Sequence, residues 1–210
     1  MDATQDGDRF ELGERGPSVF VHRTARRAPS ATAVLRALLA DRAEVPSDDI
    51  ELDWSCAACG ARHAAPVVGY PTTASGGRWY ADAAAAPGLG VAVVDRRRTV
   101  GLAIEPVDLV DAPAIDLAAF HPSERTALDA MDDEERRVAR AALWARKAAL
   151  LRAVGHTRFL EPARIALSLP DDAPGRMERS VPEFDALGAA PEFHGVPVGG
   201  GWVAAVAVLG

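Results

Sequence analysis

The chain has 210 residues, 49% of them apolar and 25% charged, enough for one generous domain or two small ones sharing an interface. Its formal net charge of −7 argues against general nucleic-acid binding, which depends on Lys and Arg neutralising phosphates. No apolar run approaches the roughly 18 residues needed to cross a bilayer, and the polar, acidic start MDATQDGDRF lacks the apolar region of a signal peptide. Only Cys56 and Cys59 are available as thiols, too close together to form a disulfide framework. These features read as a cytoplasmic protein with no membrane or nucleic-acid partner. With 43 alanines, one alanine in place of a polar residue carries little weight, and only a cluster at one site does.

Residues 1–17 are polar and Gly-rich and read as a flexible leader. Residues 17–21 read as a short strand. A helix is expected from Ser30, as N-cap, to Asp41, with Val34, Leu35, Leu38 and Leu39 on one apolar face. Arg23, Arg26 and Arg27 precede it and Arg36 lies within it. Ile50–Trp54 alternates apolar and acidic residues, as a half-buried strand does. The turn-rich insert SCAACGARHAAP follows, ending at Pro66, and Val67–Tyr70 reads as another strand. Leu89–Val94 and Thr99–Glu105 read as strands joined by the basic turn Asp95-Arg96-Arg97-Arg98, and Asp108–Ala114 as a linker.

The second half opens with a helix over Ser123–Met131. Asp132 or Asp133 then caps a long helix reaching Val154, and both favour its positive end. Trp144, Lys147, Leu151 and Val154 share one stripe of that helix, and Gly155 stands as its C-cap. Arg164–Leu169 and Val203–Leu209 read as strands. Each half therefore repeats a plan of antiparallel strands with a helix, and the expected division is 18–108 and 109–210. The fold class is α/β in the α+β sense, with two similar subdomains, each a small mainly antiparallel sheet packed with a long helix.

Four segments, in order, resemble actinobacterial surfactin-synthetase-activator-type members of the 4'-phosphopantetheinyl transferase superfamily. HRTARRAPSATAVLRALLA is similar to the family's Arg-rich first helix, and SCAACGARHAAPVV to its CxxCGxxHGxP turn. TVGLAIEPVDLV resembles the strand VGxDxE. FHPSERTALDAM with ALWARKAALLRAVG is similar to the two-helix stretch ending WxxKEAxxKAxG. GGGWVAAVAVLG resembles the closing strand. The resemblance implies the family's pseudo-dimeric fold and an enzyme that moves phosphopantetheine from coenzyme A onto a serine of an acyl or peptidyl carrier protein. It further implies Mg²⁺ held by the two acids of VGxDxE and by the Glu of WxxKEA, with the neighbouring lysine supporting phosphate charge.

The catalytic positions so implied are Glu105, Lys147 and Arg152, with Glu105 as the one remaining metal ligand. Arg23, Arg26, Arg27 and His63 fall where the family contacts coenzyme A. The departures are concentrated. Ala103 stands at the first acid and Ala148 at the glutamate. Arg152 replaces the second lysine, keeping charge while changing shape. Asp82-Ala83-Ala84-Ala85-Ala86 stands at the SHS segment, and Ala64 and Ala65 follow His63. Phosphoryl transfer needs its equatorial charge neutralised, and Mg²⁺ needs oxygen ligands; an alanine methyl offers none. Asp82, Asp108 and Asp111 are the nearest acids, but reaching the same point would need a rerouted backbone.

The expectation is a transferase-like protein of secondary metabolism with an impaired or repurposed site, a pseudoenzyme that keeps a surface for a carrier protein, coenzyme A or a related thioester. A working transferase with rearranged ligands and a non-catalytic carrier-binding partner stand as alternatives. Plainer readings stand beside each residue. Glu105 is a solvated strand-end acid, Trp144 and Lys147 are core packing with a snorkelling stem, and the arginines are a solvated face. Cys56, Cys59 and His63 offer three zinc-type ligands and no evident fourth, so an inherited turn without metal is favoured over a zinc site.

Overall fold

The computed structural model describes residues 7–14, 16–25, 27–56, 59–108, 113–155, 161–170, 175–182 and 190–210. Arg26, Asp111, residues 1–6 of the expected leader and 109–112 of the expected linker lie outside them. The chain is a mixed α/β protein with two antiparallel sheets and, among the described residues, four α-helices.

The first sheet contains β1 (Gly7–Glu11), β2 (Ser18–Arg23), β3 (Glu51–Asp53), β4 (Val67–Thr72), β5 (Arg78–Ala86) and β6 (Leu89–Asp95), in the order β1-β2-β6-β5-β4-β3. The second contains β7 (Thr99–Pro106), β8 (Ala166–Leu167), β9 (Gly175–Arg179), β10 (Glu192–Val196) and β11 (Trp202–Leu209), in the order β7-β11-β10-β9-β8. The helices are α1 (Ala31–Ala43), α2 (Pro113–Ala119), α3 (Pro122–Asp129) and α4 (Asp133–Val154).

Strand alternation sorts the side chains into layers. Phe20, Trp79, Ala81, Ala83, Ala92 and Val94 point from the first sheet towards Val34, Leu35, Leu38 and Leu39 of α1. Val19, Val21, Val91 and Val93 point the other way and meet Val100, Leu102, Val206 and Val208 of the second sheet. The far face of the second sheet, through Ala103, Phe193 and Ala207, packs on Leu143, Ala149 and Leu150 of α4. The layers thus run helix, sheet, sheet, helix, and the core has three apolar levels.

The helix ends follow capping chemistry. The Ser30 side chain accepts from the Ala33 amide at the start of α1. Asp132 accepts from the Glu134 and Glu135 amides at the start of α4, and Gly155 ends α4 at φ 70°, a left-handed angle that favours glycine. α3 starts at Pro122 with His121 as its N-cap in a capping box with Glu124.

Two boundaries differ from expectation. Within the stretch read as a leader, residues 7–11 form β1, paired antiparallel with β2 from Gly7↔His22 to Glu11↔Ser18. Phe10 and Leu12 pack onto the layer between the sheets, so two apolar residues in a polar segment suffice to dock it. The two sheets also divide at the Asp95–Arg98 turn and not near 108. β7 follows β6 in sequence but pairs with β11, in register from Thr99↔Leu209 to Pro106↔Trp202. A turn between two apolar strands looks the same in sequence whether the chain stays in its sheet or crosses to the next.

A sealed seam where two sheets and a helix meet

On β7, Gly101, Ala103 and Glu105 share the face towards α4, because side chains two apart point the same way. The approach is close: a Cβ placed on Gly101 would lie 2.1 Å from the Ala149 carbonyl oxygen. Ala103 is buried in the apolar cluster beneath α4, and Ala148 packs on the same cluster. The two positions where carboxylates are expected therefore lie in hydrocarbon. Glu105, further along the strand, is half-buried, and burial raises its pKa above the ordinary carboxylate value.

Beside these residues lies a charge node that bridges the sheets. Asp82 on β5 is fully buried. One carboxylate oxygen accepts from Arg152 Nε at 2.7 Å and from the Leu102 amide of β7 at 2.8 Å. The other accepts from the second arm of the Arg152 guanidinium and, at 2.8 Å, from the Ala83 amide. Burial is the largest influence on Asp82 and raises its pKa; the Arg152 fork and the two amides oppose that rise. Arg152 has its own pKa raised, the Asp82 contact outweighing desolvation. This bidentate geometry is the strong form of a carboxylate–guanidinium pair.

Lys147 is placed elsewhere. It lies wholly buried beneath α4, where Nζ donates to Glu124 Oε2 at 2.6 Å and lies 2.9–3.0 Å from the carbonyl oxygens of Ala119, Pro162 and Ile165. Glu124, also buried, accepts from the His121 and Leu167 amides at 2.8 Å. Desolvation lowers the Lys147 pKa and Glu124 opposes that fall. An ammonium has three protons, and four protein oxygens surround this one, so Lys147 neither snorkels nor presents a donor to a phosphate. Its position inside the helix stripe was legible; its polar surroundings depend on Glu124, 23 residues away, which sequence reading treated as part of a helix and nothing more.

Among the described residues, the expected coenzyme A contacts Arg23, Arg27 and His63 do not gather at the seam. Arg23, at the end of β2, pairs with Asp8 at 2.6 Å and donates to the Pro197 and Val198 carbonyls at 3.3 and 3.2 Å. Arg27 is exposed. His63 sits in the turn after β3, with Nε2 3.1 Å from Cys59 Sγ. That turn reaches the end of α4, where the Ala65 amide donates to the Arg152 carbonyl at 3.2 Å. The cavity beside Arg152, lined in part by Ala64, Val68, Tyr80 and Gly155, holds about 140 Å³, below the roughly 300 Å³ at which ligand pockets begin.

The described residues of the seam do not fit a Mg²⁺ ion. Such an ion takes near-octahedral oxygen ligands, whereas Ala103 and Ala148 supply methyl groups and Asp82 is already saturated by four donors. Sequence reading missed the role of Asp82, which it weighed only as a substitute metal ligand. The one available signal was a lone acid beside a run of alanines, since an acid is buried only with a partner. No family model matches the chain, and no characterised protein matches it in sequence. Among the described residues no helix is long and apolar enough to cross a membrane.

Proposed function

We propose that the chain is a 4'-phosphopantetheinyl transferase-like protein of the surfactin-synthetase-activator type that has lost Mg²⁺-dependent transfer and retains the scaffold as a carrier-protein-binding or regulatory unit. The observation that carries this reading is the state of the seam. Ala103 and Ala148 lie in one apolar cluster, and the Arg152 cation beside them is engaged by Asp82. The order of the four sequence segments and the pairing of one sheet with α1 and the other with α4 agree with the pseudo-dimeric plan of that family. Transfer from coenzyme A needs a metal and free cations around the pyrophosphate, because positioning and charge neutralisation supply nearly all of the catalysis in phosphoryl transfer. The described residues of the seam offer neither, which supports the reading.

Mass spectrometry of an apo carrier protein incubated with the chain, coenzyme A and Mg²⁺ tests the proposal. The expected spectrum shows unmodified carrier, and efficient gain of the phosphopantetheine arm would overturn the reading. One observation favours the alternative of a transferase with rearranged ligands: Glu105 is a half-buried acid whose only resolved influence is desolvation. On that alternative Glu105→Gln abolishes transfer; on the reading preferred here there is no transfer to abolish.

A further inference from the structure

We propose that Cys56, Cys59 and His63 bind one zinc ion, with three protein ligands and a fourth position open to solvent. This site is separate from the β7–α4 seam, and the inference does not rest on the transferase-like reading. The spacing shows only that three suitable residue types are near one another in the chain. The fold brings their ligand atoms together, all within 4.8 Å of one another. A tetrahedral zinc, about 2.3 Å from each sulfur and 2.0–2.1 Å from nitrogen, sets its ligands roughly 3.6–3.8 Å apart. Cys59 Sγ and His63 Nε2 lie 3.1 Å apart and no separation in the group exceeds 4.8 Å, so small side-chain rotations admit the ion.

The backbone of the turn is built to hold this arrangement. The Gly60 amide donates to the Cys56 carbonyl at 2.7 Å and the Cys56 amide to the Ala61 carbonyl at 2.9 Å, which closes the loop on itself. Gly60 sits at φ 73°, so the residue after the second cysteine reverses the chain in a conformation other residues rarely adopt. His63 follows on the return, facing the thiol. Two thiolates with an imidazole form a soft donor set that selects zinc over Mg²⁺ or Ca²⁺. Three such ligands with a vacant fourth position are the arrangement of open zinc sites, as opposed to closed four-ligand structural ones. Cys59 is exposed and Cys56 and His63 are half-buried, and among the described residues no fourth His, Cys or carboxylate joins the group, which leaves a position for water or a small thiol. The Ala65–Arg152 hydrogen bond ties the turn to the end of α4, and a bound ion would fix that contact.

The test uses the full chain, purified from zinc-supplemented cells and dialysed, with zinc measured by atomic emission and Co²⁺ used as a spectroscopic probe. The expected results are one zinc per chain, a thiolate-to-cobalt absorption band with tetrahedral visible bands, and a shift of the visible bands on adding a small thiol. Cys56→Ser and Cys59→Ser each reduce the thiolate band. His63→Ala, which keeps both thiolates, weakens Co²⁺ binding by more than about 100-fold, the upper end of the loss from removing even a partner outside the ligand shell. These residues belong to none of the three apolar clusters among the described residues, so the variants fold, and circular dichroism verifies it. Zinc-free protein without a cobalt–thiolate band, unchanged affinity in His63→Ala, or half an ion per chain in an associated dimer would each overturn the proposal. Visible bands that do not respond to thiol would overturn its open fourth position.

Discussion

Two of the cations on α4, Lys147 and Arg152, lie five residues apart, and each meets a buried acid in a different setting. Lys147 lies within the second half and is surrounded by α3, the turn Pro162–Arg164 and the residues around β8. Arg152 reaches out of that half to Asp82 on the first sheet, and its side chain keeps 24% exposure. The first pair organises the interior of one half, whereas the second joins the two sheets. The difference shows how one helix can anchor the elements packed around it and also reach across to the other sheet, using the same chemistry with a different degree of solvent access.

The comparison is tested most severely by Lys147→Met, which leaves Glu124 charged in a dry site. Removing one partner of such a pair costs about 3–5 kcal/mol, so the urea midpoint should fall sharply at unchanged m-value. A loss under about 1 kcal/mol would mean that water reaches Glu124. Arg152→Ala ranks second, at about 2–3 kcal/mol, because Asp82 keeps two amide donors and the vacated space opens to solvent. Adding Asp82→Ala should recover part of that loss, and a double-mutant cycle measures how much. Additive single losses would show that the two groups do not communicate.

Glu105→Gln should have a smaller and opposite effect. With its folded pKa raised, Glu105 binds a proton more readily in the folded chain, so its contribution to stability falls as pH rises from the unfolded value through the folded one. The amide removes that penalty. Thermal melts should show a gain at pH 7 of no more than about 2–4 °C, vanishing in acid below the unfolded pKa. Smallest of all is Arg137→Ala, which removes an exposed pair with Glu134 on the first turns of α4; its change should stay within about 0.5 kcal/mol. A larger loss there would blur the contrast between buried and surface charge on this helix.

Much of the frame was legible because it is local. α1 announces itself through Ser30 and four apolar residues on one face, and α4 through Asp132 and Gly155. β5 was not legible, since a run of alanines alternates nothing a reader can see. Its small side chains let α1 lie on one face and the second sheet on the other. The crossing of β7 to the second sheet was hidden for a related reason: pairing with β11 is decided about a hundred residues downstream. At the seam, Ala103 and Ala148 stand out only through the family resemblance, since no local pattern marks them. The link between Asp82 and Arg152 spans 70 positions, and local pattern carries no information over that distance.

Asp82 has one more consequence. Any phosphate or carboxylate approaching Arg152 meets a cation that already holds an anion, supplied by the protein and kept out of water. To claim the guanidinium, the newcomer must strand a carboxylate in the interior, where it keeps only two amides, or arrive together with a proton that discharges it. The aspartate is thus a tethered rival for the guanidinium, and an anion that displaces it does so at less cost when a proton arrives with it.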